Sequence, residues 1–173
     1  MGRFIKKFCM ELYSLPGAKS TPKLHNIDAN VKLIAVTKEL FQANKADFAS
    51  HYRVWSKNIK RGASGVFAVC NGKIIGYAWL RTKGCKDTFY RFDDKIGYVS
   101  EVFVDADFRG MGIAPAMMSY LICNHSECDT FYISIYTSNS ASRNALLKVG
   151  FSYNRSLEFI RIFKITWNKY KIT

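Results

Sequence analysis

No run of apolar residues in this sequence approaches the ~18 that a membrane-spanning helix requires. The opening stretch MGRFIKKFCMELYSL starts basic. Lys6, Lys7 and Glu11 break any signal-like apolar core, and no small-residue cleavage site follows. Gly2 stands where a myristoyl acceptor would, yet the expected Ser or Thr is Lys6. These absences predict a cytoplasmic protein without stable membrane insertion. Paired cysteine motifs are missing as well. Cys9, Cys70, Cys85, Cys123 and Cys128 are odd in number and never spaced C-x-x-C, and His25, His51 and His125 are scattered. That pattern reads as free thiols in a reducing compartment, with no metal centre and no thiol nucleophile partnered by histidine.

Acidic residues are also scarce, 13 Asp+Glu against 26 Lys+Arg, for a formal net charge of +13. A basic chain can bind nucleic acid, an anionic membrane surface or an anionic small molecule. The cations are dispersed singly, and no nucleic-acid-binding module is recognisable, so nucleic acid is not an expected partner. Internal repeats and low-complexity tracts are absent too.

What remains is a globular composition. The chain has 173 residues, 49% hydrophobic and 15% aromatic, enough for one domain with a good core. Phe4, Phe8, Leu12 and Leu15 share one helical face, so residues 1–15 are predicted as an amphipathic helix ended by Pro16-Gly17. Residues 1–30 read as an N-terminal extension. It could pack on the domain or on a second copy in a homodimer, or dock on an anionic membrane through Arg3, Lys6 and Lys7. Residues 31–173 read as the domain itself. VKLIAV (31–36) is a strand, and Thr37 caps a helical region reaching about Arg61. GVFAVC and KIIGYAWLRT form a hairpin across Asn71-Gly72. A connection over 83–95, with Asp87, Asp93 and Asp94, leads to the strand IGYVSEVFV (96–104). A helix to about Cys123, the strand TFYISIY (130–136), the helix SASRNALLKV closed by Gly150, and a pair of strands, FSYNR and EFIRIFKITW, complete the chain. This order predicts a single α/β domain with one mixed sheet flanked by helices.

Arg109-Gly110-Met111-Gly112-Ile113-Ala114 stands between strand and helix. A helix start offers unpaired N–H groups and partial positive charge, and glycines let a bulky anion approach the main chain. Arg109 adds a charge able to bond two phosphate oxygens. Pro115 lies in the first helical turn, where no N–H is needed. The pattern is not the nucleotide loop G-x-x-x-x-G-K-S/T, because it has no Lys. Nor is it the dinucleotide fingerprint, whose third glycine would fall at Pro115.

The stretch VFVDADFRGMGIAPAMM instead resembles the acetyl-CoA-binding motif of the GNAT superfamily of N-acetyltransferases, Gln/Arg-x-x-Gly-x-Gly/Ala after a strand ending in apolar-x-Val. NSASRNALLKVGF resembles the family's downstream Asn, short helix and Gly-Phe. The resemblance implies a mostly antiparallel mixed sheet and a cofactor, acetyl-CoA. It implies a pantetheine arm along the strand at Val102, Phe103 and Val104, and a pyrophosphate on the amides of Arg109, Gly110, Met111, Gly112, Ile113 and Ala114. It further implies a cofactor channel at Asn139, Ser142 and Leu146, with Lys148 near the adenosine phosphates. The activity implied is acetyl transfer to an amine.

A proton must leave the acceptor ammonium before it attacks. Glu101 is the carboxylate within the cofactor strand and the expected base. Strict alternation puts Tyr98, Ser100, Val102 and Val104 on one face and Glu101 on the other. A bulge near 100–103 would decide whether Ser100 or Glu101 faces the substrate. Asp93 and Asp94 are reserve carboxylates, and Phe89, Tyr90 and Phe92 could wall an acceptor pocket. Where many family members carry a Tyr that protonates the leaving thiolate, this chain has Leu146. The nearest substitute hydroxyl is Tyr136, and water or unassisted departure are the alternatives. The acceptor is expected to be a small amine or amino sugar. The rival readings are a protein or peptide acceptor and a CoA-binding module without catalysis.

Overall fold

The computed structural model describes residues 5–17, 27–43, 51–85, 90–162, 165–167 and 170–172. Its strands are β1 (Ile5–Pro16), β2 (Val31–Ala35), β3 (Ser64–Cys70), β4 (Lys73–Arg81), β5 (Tyr90–Phe92), β6 (Ile96–Val104), β7 (Thr130–Tyr136), β8 (Ser152–Ile162), β9 (Ile165–Trp167) and β10 (Tyr170–Ile172). The helices are α1 (Lys38–Ala43), α2 (Tyr52–Lys60), α3 (Ile113–Cys123) and α4 (Ser140–Val149). Eight strands form one sheet in the order β2-β3-β4-β6-β7-β1-β8-β9, and β5 pairs with β10 separately. Only β6 and β7 run parallel within the large sheet, so it is mixed and mostly antiparallel, as expected.

Local chemistry sets several boundaries. Asn71 and Gly72 both have positive φ, 49° and 76°, the primed turn that matches the twist of a two-residue hairpin. The Thr37 hydroxyl accepts the Leu40 N–H at 3.1 Å and caps α1. The helical region expected from Thr37 to Arg61 contains both α1 and α2, and residues 44–50 between them lie outside the described residues.

Two expectations are corrected. Residues 5–16 are a strand, not an amphipathic helix. β1 pairs with β7 from Met10↔Tyr136 to Pro16↔Thr130, and with β8 from Ile5↔Ile162 to Ser14↔Ser152. The residue-30 boundary therefore does not set β1 apart from the sheet. The physical reason is burial on both faces. Leu12 packs with Leu157 and Phe159 on one side, while Tyr13 and Leu15 join the main core on the other. A strand covered on both sides has apolar residues at irregular spacing, and Phe8, Leu12 and Leu15 imitate a helical stripe. The second correction lies at the end of the chain. FSYNR and EFIRI are not two paired strands, because β8 runs unbroken from Ser152 to Ile162 along β1 and turns back only into β9. The long β1 edge supplies ladder partners straight through Ser156.

The sheet separates two packed layers. On one face α3 and α4 bury Met117, Met118, Leu121, Leu146 and Val149 against Val66, Ile75, Leu80, Val99, Ile133 and Ile135. On the other, Trp55 of α2 packs on Phe67, Tyr77 and Trp79. Each fully buried large side chain contributes about 1.5–3 kcal/mol relative to an exposed one. This double burial holds β4 and β6 rigidly in the middle of the sheet.

Candidate active site

The site arises where the parallel strands separate. β6 and β7 are paired only over Ile96–Tyr98 and Thr130–Tyr132. Beyond that, β6 stays with β4 as far as Val104, and β7 stays with β1 as far as Tyr136. Between them opens a cavity of about 880 Å³. The β6 edge facing it has backbone N–H and C=O groups without a strand partner, a template for an extended amide-bearing chain.

Val102, Phe103, Val104, Arg109, Gly110, Gly112, Ile113, Ala114, Asn139, Ser142, Leu146 and Lys148 all line this cavity, as do Glu101 and Tyr136. Met111 does not, and its side chain is 52% exposed. At the turn Gly110 and Gly112 have φ of +83° and +76°, a region that costs a side chain about 1–2 kcal/mol. A Cβ on Gly110 would meet nothing within 4 Å, so this glycine serves the backbone conformation and leaves the space before it open. The first intrahelical bond of α3 runs from the Ala116 N–H to the Gly112 carbonyl at 3.0 Å. The N–H groups just before it, at a helix start, are free for an anion. Arg109 folds back so that its Nε donates to the Val104 carbonyl at 3.1 Å, which ties the turn to the end of β6.

Asn139 is the N-cap of α4, its side-chain oxygen accepting the Ser142 N–H at 3.1 Å. Arg143 then anchors α4 to β1. Its Nη2 donates to both Glu11 carboxylate oxygens at 3.0 Å and to the Thr137 carbonyl at 2.7 Å, and its Nε reaches the Tyr13 hydroxyl at 3.1 Å. The Tyr13 hydroxyl and then Arg143 hold the Glu11 carboxyl below the usual carboxylate range. Leu146 is 1% exposed and belongs to the core.

On the opposite face the expected bulge is present. Tyr77 opposes Phe103 and Trp79 opposes Ser100, so Glu101 and Val102 together face Ala78. Glu101 takes φ +53°, strained for a residue with a side chain. The bulge redistributes the side chains. Val102 and Val104 pack toward the α3/α4 core, while Phe103 packs beside Tyr77 near α2. Glu101 also turns toward α2, where Arg81 Nη2 lies 3.0 Å from its Oε1 and the Asn58 amide donates to its Oε2. Asn58 accepts from Arg81 Nη2 at 3.0 Å, completing a three-residue cluster in which Arg81 is 5% and Asn58 0% exposed. The question of Ser100 or Glu101 resolves as both, since Ser100 lies opposite Trp79 on that same face and also lines the cavity.

Nearby, the Tyr77 phenol is pushed up to about 12, by burial first and then by the Glu101 charge, so it remains protonated at neutral pH. Its hydroxyl lies 3.1 Å from His51 Nδ1. The Tyr98 hydroxyl and Ser134 Oγ are 2.5 Å apart at the closed end of the split. Tyr136, at the end of β7, is 51% exposed with its ring 5.9 Å from that of Phe8. Asp93 and Asp94 do not line the cavity, and Asp94 pairs with Lys83. Phe89, Asp87 and the side chains of Tyr90 and Phe92 lie outside the described residues.

Sequence reasoning missed Arg81, Asn58, Tyr98 and Ser134. A charge closing the apolar strand KIIGYAWLR, and the small polar Ser134 between the isoleucines of TFYISIY, were signals for two of them. Nothing local marks Asn58, which reaches the site only through the docking of α2.

The strand split is lined by a glycine turn at one helix start. The family model for GNAT acetyltransferases matches residues 32–151, and the chain belongs to this family. Its fold is similar to that of a GNAT-family protein from Novosphingobium aromaticivorans, with TM-score 0.62 and 15% identity, over 90% of this chain and 64% of that one. A GNAT-family acetyltransferase from Colwellia psychrerythraea gives TM-score 0.62 and 17% identity, over 91% and 57% of the two chains. An integron cassette protein from Vibrio cholerae gives 0.53 and 17%, over 74% and 89%. The chain thus spans less than two thirds of the first two structures. No curated protein matches it. No helix among the described residues is long and apolar enough to cross a membrane.

Proposed function

We propose that this chain is an acetyl-CoA-dependent N-acetyltransferase that acts by direct attack of a primary amine, its acceptor a small molecule or amino sugar. One observation carries the reading: a single cavity through the β6–β7 split has free helix-start amides and positive-φ glycines at one end and a carboxylate on the other face. The residues fit the cofactor. Amides from Gly110 to Ala114 would hold the pyrophosphate, assisted by the Arg109 guanidinium. The β6 edge at Phe103 and Val104, where the Val104 carbonyl also accepts from Arg109 Nε, would bond the pantetheine amides, and Asn139 and Ser142 would border the arm. Lys148 lines the same cavity and would reach the adenosine phosphates.

When bound, acetyl-CoA supplies an acetyl group activated as a thioester. The protein's contribution is proximity, because the acceptor enters from the α2 face and meets that group in the split. Glu101 accepts the ammonium proton. Arg81 and Asn58 orient its carboxylate, which retains lone pairs for a third partner. Tyr136 lines the cavity and is the hydroxyl that returns a proton to the departing thiolate, since Leu146 cannot.

The engagement of Glu101 by Arg81 and Asn58, together with Leu146, favours one second reading, a CoA-binding module without catalysis. CoA release is measured with acetyl-CoA across small amines, amino sugars and peptides. Turnover on an amine, lost in Glu101→Gln, supports the enzyme. Tight acetyl-CoA binding without turnover on any acceptor supports the module, and peptide-only turnover replaces the small acceptor by a protein.

A further inference from the structure

Ser100 is 8% exposed and lines the cavity, and its Oγ, shielded from solvent, has no hydrogen-bond partner, so it meets a ligand by turning about χ1. An unpartnered buried hydroxyl is destabilising and needs a reason. Among its neighbours on the same face the Trp79 indole N–H, opposite Ser100, is likewise unpartnered, while the charged and hydroxyl groups are engaged. Glu101 is bonded by Arg81 and Asn58, and the Tyr98 hydroxyl is bonded to Ser134. The bulge is what places Ser100 and Glu101, consecutive in sequence, on one face, where alternation would have opposed them.

We propose that Ser100 determines acceptor specificity by hydrogen bonding a hydroxyl on the carbon next to the reacting amine. The inference rests on the acetyltransferase reading, in which Glu101 receives the amine proton. Ser100 and Glu101 are neighbours in the chain, with Cα atoms about 3.8 Å apart, so the groups they bind lie close together on the acceptor, and adjacent carbons are the shortest such spacing. An amine with a vicinal hydroxyl has that spacing and satisfies the orphan Oγ. A plain alkyl amine leaves the serine hydroxyl unpaired in the complex, and sites with unpaired buried polar groups discriminate against such analogues.

The test compares trans-2-aminocyclohexanol with cyclohexylamine, which differ only in that hydroxyl, using acetyl-CoA turnover by the wild type, Ser100→Ala and Ser100→Cys. Acetyl-CoA affinity and thermal midpoint are measured alongside. The wild type is expected to prefer the amino alcohol by about tenfold in kcat/KM. Both variants lose the preference, Ser100→Ala melts at a higher temperature, and acetyl-CoA affinity is unchanged. Equal wild-type rates, or a preference surviving in Ser100→Ala, overturn the proposal. So does a lower melting temperature of Ser100→Ala, which would make the hydroxyl a folding contact. If neither amine turns over while acetyl-CoA binds, this inference fails and the cofactor site stands. If acetyl-CoA does not bind, the acetyltransferase reading fails first.

Discussion

The two sides of the β6–β7 split are built by different means. The side proposed for the cofactor is largely main chain, made of two positive-φ glycines, the amides opening α3 and the edge of β6 without a strand partner. The side proposed for the acceptor is almost entirely side chain, drawn from remote elements: Asn58 on α2, Arg81 on β4, Tyr98, Ser100 and Glu101 on β6, and Ser134 on β7. A backbone cradle holds the same group in any chain that keeps the turn. A side-chain lining can change its ligand by single substitutions. The comparison therefore predicts that cofactor affinity and acceptor chemistry are separable by mutation.

The largest effect should fall on the acceptor side alone. Glu101→Gln keeps a hydrogen-bonding oxygen for Arg81 or Asn58 but cannot take a proton, and kcat/KM should drop by roughly 10²–10⁴. Steady-state kinetics check this, and a variant with wild-type turnover would remove Glu101 as the base. Next, Gly112→Val forces a β-branched residue into φ +76° at the start of α3. Acetyl-CoA affinity should weaken by about tenfold to a hundredfold, read by calorimetry. Arg109→Glu reverses a charge beside the same turn. Its loss of acetyl-CoA affinity, on the order of tenfold, should shrink as ionic strength rises, because Arg109 is exposed.

The smallest effect concerns the clamp that ties α4 to β1. Glu11 on β1 holds Arg143 on α4, and its carboxyl is lowered by the Tyr13 hydroxyl and by Arg143. A lowered folded-state value stabilises above the unfolded value, about 4.3, and that stability is lost as pH falls through the folded value. Arg143→Met should therefore melt below the wild type at neutral pH, with the gap closing under acid. Melting curves at pH 7 and below pH 4 check the sign, and a gap that widens under acid would contradict it.

Legibility followed the same division. RGMGIA was readable because the constraint on it is local: glycines, a helix start and an arginine are consecutive in the chain. The hairpin at Asn71-Gly72 was readable for the same reason. β1 was not, because only its position between β7 and β8 makes Leu12, Tyr13 and Leu15 all interior. The acceptor cluster was half readable. Glu101 could be anticipated from its strand and the bulge from the family resemblance, but Arg81 and Asn58 are brought to it from 20 and 43 residues away.

The central claim is that the glycine turn, and not the carboxylate across the split, binds acetyl-CoA. Calorimetric titration of acetyl-CoA into the wild type, Gly112→Val and Glu101→Gln tests it most directly. The account predicts wild-type affinity for Glu101→Gln and clearly weakened binding for Gly112→Val. Equal affinity in all three, or weakened binding confined to Glu101→Gln, would contradict it.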